Sequence, residues 1–537
     1  MSQFDLIIHG GKLVDGTGNS CIYADLGIRR GRIEQIGDLS GCEFRRLIDA
    51  SSLTICPGFI DIHSHSDFSL ITNPKAESHL RQGVTTVVTG NCGFSPFPVQ
   101  PGKTDLLVEY SRTLMAGADL TWNDMEGYFT QLLELGLSIN VVPLVGFGNL
   151  RVAVMGMDNL NPSRQEMSQM EKILTTHLRK GLFGMSTVLI KPPDSFSTQQ
   201  ELVELCKVVA ANKGFYATHL RSESNGLEEA LNEAIEIGRH TSVPIQISHH
   251  KAAGRSNWGK TQRTIAMMVD ARLQGVDVMC DVYPYLAAST SVAFLLPPWL
   301  HEGGLQSLLQ RIAHRDTRHR VSTEIEEGYP NWWNPVREAG GWEKVTLISV
   351  ASDKNSWVEG LTVSQLSEKM GKNLYDALFD LLIEEQGVVR MIIEMMCEED
   401  LERILNYPYA AIGSDGWCED SDNLNKKGLV HPRLYGTFPR VLGEYVRKRS
   451  VLRLEEAIRK MTSLPAQRLG LRDRGILSRG MAADVVAFNA ATVADTATYT
   501  TPRSFPTGIH YVLVNGEVVI DNGDYKKVSA GRILRKE

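Results

Sequence analysis

Short apolar runs alternate with amphipathic segments along most of this chain. Such an alternation is typical of a parallel α/β domain, in which each strand is followed by a helix that covers the sheet. Amphipathic segments of helical length occupy, for example, residues 197–213 and 226–241. The candidate strands end near His65, Cys92, Gly146, Lys191, Leu220, Lys251, Tyr285 and Asp415. This series of βα units predicts a TIM-like (β/α)8 barrel rather than a Rossmann-like open sheet, since no Gly-x-Gly-x-x-Gly follows an early strand.

The two ends of the chain have a different pattern, with short strands joined by tight turns. Near the N-terminus, residues 4–8 run into a Gly-Gly turn, and near the C-terminus residues 511–519 contain an Asn-Gly hairpin sequence. Neither end alone supplies enough strands for an independent core. We therefore predict that residues 1–56 and 466–537 pair into one small β-sandwich, and that residues 57–465 form the barrel.

The stretch between the seventh and eighth candidate strands is far too long for one helix and its loops. It contains the sequence Pro-Asn-Trp-Trp-Asn-Pro at residues 330–335, and helical patterns between residues 362 and 386. Long segments of this kind inside a compact domain are usually functional. The sequence therefore predicts an insertion near residues 290–360 that caps the mouth of the barrel.

The charge balance and the cysteine pattern exclude several classes of protein. Lysine and arginine number 56 and aspartate and glutamate 63, which gives a net charge of −7 and no basic run for nucleic acid or an anionic membrane. The eight cysteines are scattered without a CxxC pair, as expected of reduced thiols. The N-terminus lacks the pattern of a signal peptide. We expect a soluble, cytoplasmic protein that acts on a small molecule and binds neither nucleic acid nor membrane.

The sharpest local motif is the run Gly-Phe-Ile-Asp-Ile-His-Ser-His at residues 58–65. Side chains two residues apart on a strand point to the same face, so His63 and His65 would both face the mouth of the barrel. Active sites of this fold lie at the carboxyl ends of the strands, and imidazole is the usual nitrogen ligand for zinc. A His-x-His pair alone is common, so the interpretation depends on the other histidines.

Three further polar side chains follow apolar strands in the same way. His219 ends the fifth candidate strand, His249 the sixth, and Asp415 the eighth. Chance placement of all these residues at the same end of a barrel is improbable, so the sequence predicts a metal site there. His250 is excluded from the set because adjacent strand residues face opposite ways.

These motifs resemble the amidohydrolase superfamily, and within it the N-acyl-D-amino-acid deacylase (D-aminoacylase) family. The resemblance covers nearly the whole chain. It depends on six segments, at residues 58–65, 83–93, 247–251, 281–285, 413–416 and 431–436. The His-x-His pair is shared across the superfamily, whereas the Thr-Gly-Asn-Cys-Gly sequence that ends the second segment is typical of the deacylase branch.

The resemblance implies a fold, a cofactor and a reaction. It implies a zinc ion held tightly by Cys92, His219 and His249, and a second, often weakly occupied metal position at His63 and His65. It assigns Asp415 as a metal ligand and as the general acid/base. The implied reaction is zinc-dependent hydrolysis of the amide bond of N-acyl-D-amino acids, which gives a carboxylic acid and a free D-amino acid.

Lys191 departs from the family pattern, in which an aromatic residue is usual at this position. A lysine on the fourth strand is typical of hydantoinases and dihydroorotases, where it is carboxylated and bridges two metals. A buried amine beside metal ions would lose its proton and could then add CO2, so Lys191 is a candidate metal ligand. The alternative is an ordinary ammonium that reaches solvent or contacts a substrate carboxylate. Phe147 is a second departure, at a position where histidine is common.

Three residues are candidates for substrate binding. The resemblance implies that Lys251 and Tyr283 contact a substrate carboxylate, and Arg221 lies two residues after His219 on the same strand face. Three rival functions stay open at this point. They are a cyclic-amide hydrolase of the hydantoinase or dihydroorotase type, a dipeptidase for unusual linkages such as isoaspartyl bonds, and a catalytically idle scaffold.

Overall fold

The computed structural model describes residues 3–536 except Thr113, Ala116, Pro330, Asn331 and Lys427. Pro330 and Asn331 belong to the tryptophan-rich stretch of the predicted insertion, so that part of the prediction lies outside the described residues. No helix within the described ranges is both long and apolar enough to cross a membrane.

The chain begins with strands and continues with alternating strands and helices. The first strands are β1 (Phe4–Leu13), β2 (Ile22–Arg29), β3 (Arg32–Gly37), β4 (Phe44–Asp49) and β5 (Thr54–Pro57). The strands of the next segment are β6 (Phe59–Asp61), β7 (Val84–Thr89), β8 (Asn140–Pro143), β9 (Val145–Gly146), β10 (Gly184–Val188), β11 (Phe215–His219), β12 (Ile245–Ile247) and β13 (Val278–Val282). Its helices are α1 (Ser66–Thr72), α2 (Glu77–Leu80), α3 (Thr104–Ser111), α4 (Met125–Glu134), α5 (Phe147–Val154), α6 (Arg164–Arg179), α7 (Gln199–Ala211), α8 (Leu227–Thr241) and α9 (Lys260–Leu273).

A unit with its own hydrophobic core follows β13. It contains strands β14 (Ala287–Ser291), β15 (Val345–Val350) and β16 (Val389–Glu394), with helices α10 (Gly304–Ala313), α11 (Arg315–Glu327), α12 (Pro335–Ala339), α13 (Val363–Met370) and α14 (Leu374–Glu384). β16 lies between β14 and β15 and pairs antiparallel with both. The core of this unit is separate from the main core and includes Leu308, Leu347, Leu378 and Ile393.

The last part of the chain returns to the parallel strands and then to the N-terminal sheet. Its elements are α15 (Glu398–Asn406), β17 (Ala410–Ile412), α16 (Arg433–Arg440), α17 (Leu454–Met461), α18 (Ser463–Leu469), β18 (Val485–Phe488), β19 (Ile509–Val514), β20 (Glu517–Asp521) and β21 (Asp524–Tyr525). A π-helix at Val441–Lys448 continues α16. Single 3-10 turns occur at Asp194–Phe196, Arg255–Asn257, Val292–Leu295, Pro298–His301, Trp342–Lys344, Asp353–Val358 and Ser421–Asn423.

Local sequence explains why the covering helices form where they do. Helix α8 carries apolar residues such as Leu227, Leu231 and Ile235 at a spacing of four, and all three are buried. Helix α6 starts at a capping box, in which the Ser163 hydroxyl accepts from the Glu166 N–H and the Glu166 carboxylate accepts from the Ser163 N–H. Helix α8 lies within the amphipathic segment 226–241, and helix α6 lies between the third and fourth predicted strands.

The parallel strands form two sets of ladders, one of β6 to β8 and one of β9 to β13 with β17. β6 pairs with β7 and β7 with β8, while β9 to β13 pair in order and β13 pairs with β17. Only Leu144 separates β8 from β9, and its N–H donates to the Thr89 carbonyl over 2.9 Å. The first and last strands of the series meet just beyond their ends, where Ser64 and Gly416 form a parallel bridge. The predicted α/β class is confirmed, and the carboxyl ends of these strands converge at one edge.

The two ends of the chain share one sheet. Its order is β21-β20-β19-β18-β5-β1-β2-β3, with β4 paired to β1. The junction is the antiparallel pair of β5 and β18, in which Cys56 lies opposite Val486 and both side chains are buried. The segments 4–57 and 485–525 are therefore one structural element, although most of the chain lies between them.

Candidate metal centre

The carboxyl ends of the parallel strands bring the predicted ligands together. His63 and His65 follow β6, Cys92 follows β7, His219 ends β11, His249 follows β12 and Asp415 follows β17. Three of these residues have a positive φ, which is 49° at Cys92, 33° at His249 and 50° at Asp415. Residues other than glycine rarely adopt a positive φ, and such backbone strain is typical of functional sites. The sharp turns at the strand ends aim the side chains inwards.

Cys92 is common to two groups of potential ligands. One group is His63, His65 and Cys92, the other is Cys92, His219 and His249, and within each group the ligand atoms lie within 4.8 Å of one another. The Cys92 Sγ is 3.3 Å from the His63 Nε2 and 3.5 Å from the His249 Nε2. Sulfur and imidazole nitrogen are the ligand atoms that zinc prefers in proteins.

Two features of the centre fit a bound cation. The His219 Nε2 is buried and has no hydrogen-bond partner among the described residues, which costs free energy unless another group satisfies it. Burial raises the pKa of the Cys92 thiol, but the positive charges of His63 and His249 outweigh it and hold that pKa well below its ordinary value. A buried thiolate beside an unsatisfied imidazole is a donor set suited to zinc.

Asp415 lies between the histidines and an arginine. Its Oδ1 is 3.0 Å from the His65 Nε2, and its Oδ2 is 2.8 Å from an Nη of Arg433, the first residue of α16. Burial raises the pKa of Asp415, but the charges of Arg433 and His249 lower it well below the usual range of an aspartate. The carboxylate is therefore ionised and available as a proton acceptor. Arg433 lies in the 431–436 segment that carries the family resemblance, but the sequence does not predict this contact.

Asp281 orients two of the candidate ligands from the neighbouring strand β13. Its Oδ1 lies 3.1 Å from the His63 Nδ1 and accepts the backbone N–H of His249 over 2.7 Å. Its Oδ2 accepts from the Gln246 side chain. A carboxylate on Nδ1 fixes the imidazole orientation, so that the Nε2 of His63 faces Cys92. Asp281 begins the 281–285 segment that carries the family resemblance, but the sequence does not predict this role.

Glu223 is a site residue that the sequence does not predict. Its Oε1 is 2.9 Å from the His249 Nδ1 and 2.5 Å from the Lys251 Nζ, and its Oε2 is 3.5 Å from the His219 Nε2. Burial raises the pKa of Glu223, but the charges of His219, Lys251 and His249 lower it below its ordinary value. The residue lies in the irregular segment between β11 and α8, where no periodic pattern distinguishes it. Its position four residues after His219 was the single available indication.

A cavity of about 1060 Å3, including its open mouth, lies directly over the candidate ligands. Lys251 and Tyr283, two predicted substrate-binding residues, line it together with Arg433. The centroid of the Tyr283 ring is 5.6 Å from the Lys251 Nζ and 5.1 Å from the guanidinium carbon of Arg433. The unit after β13 contributes Phe294 and other side chains to the same cavity.

Arg221, the third predicted substrate-binding residue, lies elsewhere. Its guanidinium forms two hydrogen bonds of 2.9 Å with the Glu233 carboxylate, and it also donates to the carbonyls of Ser195 and Ser197. It is not among the described residues that line the cavity.

Lys191 lines the same cavity as the candidate ligands. Its Nζ donates to the Thr290 hydroxyl over 3.1 Å, and burial together with the charge of Arg390 lowers the pKa of Lys191. Of the other residues noted in the sequence, Phe147 is buried in the main core at the start of α5. His250 faces helix α9, where its Nε2 is 2.8 Å from the Thr264 hydroxyl, in agreement with the prediction that it points away from the site.

Comparison with known proteins identifies the family. Residues 414–520 match the model of the "Amidohydrolase family". The D-aminoacylase of Alcaligenes xylosoxydans xylosoxydans is 36% identical, over 99% of this chain and 98% of the relative. The N-acyl-D-glutamate deacylase of the same organism is 35% identical, over 100% of this chain and 97% of the relative.

The chain belongs to the D-aminoacylase family. The structure is similar to that of N-acyl-D-glutamate deacylase from Bordetella bronchiseptica, which was crystallised with zinc and a phosphonate inhibitor that mimics the tetrahedral intermediate. The TM-score is 0.82 at 33% identity, and the match covers 99% of this chain and 100% of that one. These similarities confirm the family and the hydrolase class that the motifs indicate. The individual ligands remain predictions.

Proposed function

We propose that this member of the D-aminoacylase family hydrolyses the amide bond of N-acyl-D-amino acids in a zinc-dependent reaction, giving a carboxylic acid and a free D-amino acid. The observation that carries the proposal is the sharing of Cys92 between two ligand groups beside an ionised Asp415. The names of full-length relatives, D-aminoacylase and N-acyl-D-glutamate deacylase among them, support this substrate class.

The chemistry of the donor set supports two metal positions. Cys92, His219 and His249 would hold the first zinc ion, and His63 and His65 would complete a second position that shares Cys92. A bound zinc ion supplies Lewis acidity, which makes water acidic enough to react at neutral pH. Asp281 and Glu223 keep the imidazoles of both groups in place from behind.

Asp415 moves the proton that hydrolysis requires. An attacking water must lose a proton, and the leaving amine must gain one, which a single carboxylate can do in turn. Arg433 holds one oxygen of Asp415, so the Oδ1 that faces His65 is the atom that accepts and returns the proton. The side chain is 12% exposed, which leaves it in reach of a substrate in the cavity.

The carboxylate common to all N-acyl amino acids fits the wall formed by Lys251, Tyr283 and Arg433. The two cations lie close to the Tyr283 ring, whose phenol can donate a hydrogen bond. Arg221 is engaged by Glu233 and takes no part in this proposal.

We propose Cys92, rather than a carboxylated Lys191, as the ligand shared by the two metal positions. The Cys92 Sγ belongs to both groups, whereas the Lys191 Nζ is bound to a hydroxyl of β14. Lys191 is then not carboxylated. The cyclic-amide hydrolase alternative depends on a carboxylated lysine between the two metals, so this arrangement does not support it.

We further propose that the parallel strands β6 to β13 and β17 close into a (β/α)8 barrel spanning residues 57–465. The bridge between Ser64 and Gly416 supports closure. The shared sheet of the chain ends supports a β-sandwich of residues 1–56 and 466–537, and the separate core after β13 supports an inserted cap. The unpaired state of all eight cysteines fits a reducing cytoplasm.

A substrate and metal assay tests this function. N-acetyl-D-methionine should be hydrolysed, with N-acetyl-L-methionine and a hydantoin left almost untouched. Chelation should abolish turnover and added zinc should restore it. Cys92→Ser should lose bound zinc, whereas Cys21→Ser, at a half-buried thiol outside the ligand groups, should keep it. Preference for the L form or the hydantoin, or full turnover without metal, would refute the proposal.

A further inference from the structure

The loop that carries Cys92 has a strained backbone. Residues 90–93 follow β7, and three of them have a positive φ, which is 80° at Gly90, 49° at Cys92 and 74° at Gly93. The loop also packs closely against its surroundings, because a β-carbon on Gly90 would lie 2.4 Å from the Leu144 carbonyl oxygen. A backbone of this kind persists only where the surrounding structure holds it in place.

The hydroxyl of Ser186 bonds to both ends of this loop. Ser186 lies on β10 and is fully buried. Its Oγ accepts the Gly93 N–H over 2.9 Å and donates to the Gly90 carbonyl. One side chain thus closes the loop around Cys92, and it satisfies two backbone groups that would be costly to bury without a partner.

Two further side chains each bond to one end of the loop. The Asp67 Oδ1 accepts the Gly90 N–H over 2.6 Å, and the Tyr110 hydroxyl donates to the Gly93 carbonyl over 3.2 Å. These contacts attach the loop to α1 and α3. Ser186 differs from them because its hydroxyl links the two ends to each other, and so sets the distance that Cys92 spans.

We propose that Ser186 is a positioning residue, which keeps the Cys92 sulfur in the place where both metal positions share it. The Cys92 Sγ lies 3.3 Å from the His63 Nε2 and 3.5 Å from the His249 Nε2, so a small shift of the loop changes both distances. Groups that hold a metal ligand from behind contribute to metal affinity although they do not touch the ion. This inference rests on the proposed function, since it takes Cys92 as a zinc ligand.

Two variants of neighbouring residues separate positioning from general stability. Ser186→Ala removes the hydroxyl that closes the loop. Thr187→Val is the matched control, because Thr187 is also fully buried on β10 but faces the opposite way. Its hydroxyl bonds to those of Tyr216 and Thr218 over 2.8 and 2.9 Å. Each variant therefore loses one buried hydroxyl with two hydrogen bonds, and only the first touches the Cys92 loop.

Metal binding is the first measurement. Cobalt(II) bound to a thiolate gives an ultraviolet charge-transfer band, which reports directly on Cys92 in the cobalt-substituted protein. In Ser186→Ala we expect this band to lose most of its intensity, and zinc to bind about 10- to 100-fold more weakly, the usual effect of removing a group that orients a ligand. Thr187→Val should keep the band and the affinity, and Ser186→Thr, which retains the hydroxyl, should restore both. Wild-type values in Ser186→Ala, or equal losses in Thr187→Val, would overturn the proposal.

Hydrogen exchange of the metal-free protein tests the loop without the metal. The Gly93 amide loses its acceptor in Ser186→Ala, so residues 90–95 should exchange faster in this variant than in the wild type or in Thr187→Val. A wild type that binds cobalt without a thiolate band would refute the proposed zinc site and the positioning role together. A wild type with that band, combined with unchanged exchange of residues 90–95 in Ser186→Ala, would overturn the role of Ser186 alone.

Discussion

The two oxygens of the Asp415 carboxylate have different partners, since one is bound by Arg433 and the other faces the histidines. Asp415→Asn keeps the size of the side chain and removes its capacity to accept a proton. We expect zinc content to be retained and kcat to fall by roughly 10²–10⁴-fold, the usual contribution of general acid/base catalysis. Asp422→Asn, at a side chain that is 83% exposed, is the control and should leave kcat unchanged. A loss of less than about tenfold would place the proton transfer on another group.

The buried carboxylate of Asp420 makes the stability of the protein depend on pH. Burial, with a further contribution from the Glu77 carboxylate, raises its pKa from 3.8 to about 6. The folded state therefore binds this proton more tightly than the unfolded state. The contribution of this proton to the free energy of unfolding is fully present below about pH 4 and is lost as the pH rises through about 6. Above that pH, ionising Asp420 in the folded protein costs up to about 3 kcal/mol.

Asp420→Asn cannot ionise and so avoids that cost. The difference in melting temperature between the metal-free variant and metal-free wild type should be near zero at pH 4 and positive at pH 7.5. Asp422→Asn should show no such rise, because its carboxylate is already exposed in the folded protein. A variant that is less stable than the wild type at pH 7.5 would contradict the assignment.

Individual candidate site residues could be predicted from the sequence when they lie at the carboxyl end of a predicted parallel strand. His63, His219 and His249 are examples, because each follows an apolar run at the carboxyl end of a parallel strand. Glu223 could not be found in this way, since it lies in an irregular segment and meets His249 only after folding. The exclusion of Arg221 from the cavity depends on Glu233, twelve residues further on, which the strand pattern does not reveal.

Helices and strands could be predicted where the spacing of apolar residues within the segment itself indicates them. The alternation of β10, α7, β11 and α8 follows from apolar periodicity, and each lies within the predicted segments. The antiparallel pairing of β14 with β16 is different, because the two strands are separated by a series of helices and the pairing is non-local. The sequence predicts an insertion there, but short apolar runs alone do not distinguish strands from buried helix segments.

The capping box of α6 gives a prediction at the scale of the element. Ser163→Ala removes the hydroxyl that accepts the Glu166 N–H, and should lower the free energy of unfolding by about 1 kcal/mol. Ser168→Ala, exposed on the same helix, should be neutral or slightly stabilising because alanine is the better helix former. Denaturant titration of both variants measures the difference. Catalysis should be unaffected, and an equal loss in both variants would argue against the cap.

At the scale of the whole molecule, the shared sheet makes the two chain ends depend on each other. β18 is the strand that joins them, and the side chains of Val485, Val486 and Ala487 are fully buried. The C-terminal tail adds a second attachment, because the Leu534 N–H donates to the Val141 carbonyl over 2.8 Å at strand β8. The C-terminal segment therefore supports both the sheet and the parallel strands.

Deletion of residues 485–537 should prevent the rest of the chain from folding. It removes β18 to β21 and exposes Ile55 and the edge of β5, which are buried in the complete chain. Each large apolar side chain that loses its cover costs about 1.5–3 kcal/mol, so the loss of several exceeds the net stability of about 5–15 kcal/mol typical of a protein. We expect insoluble material after expression, and no zinc-dependent activity in the soluble fraction.

A shorter deletion is the control for that experiment. Removal of residues 535–537 deletes the exposed pair of Arg535 with Glu126 and, among the described residues, hydrogen bonds to the carbonyls of Lys180, Gly181 and Lys213. It leaves every strand in place. Exposed ion pairs contribute little, so this variant should stay soluble and melt within a few degrees of the wild type. Soluble, active protein from the longer deletion would show instead that the parallel strands fold without the C-terminal half of the shared sheet, and that β5 tolerates an open edge.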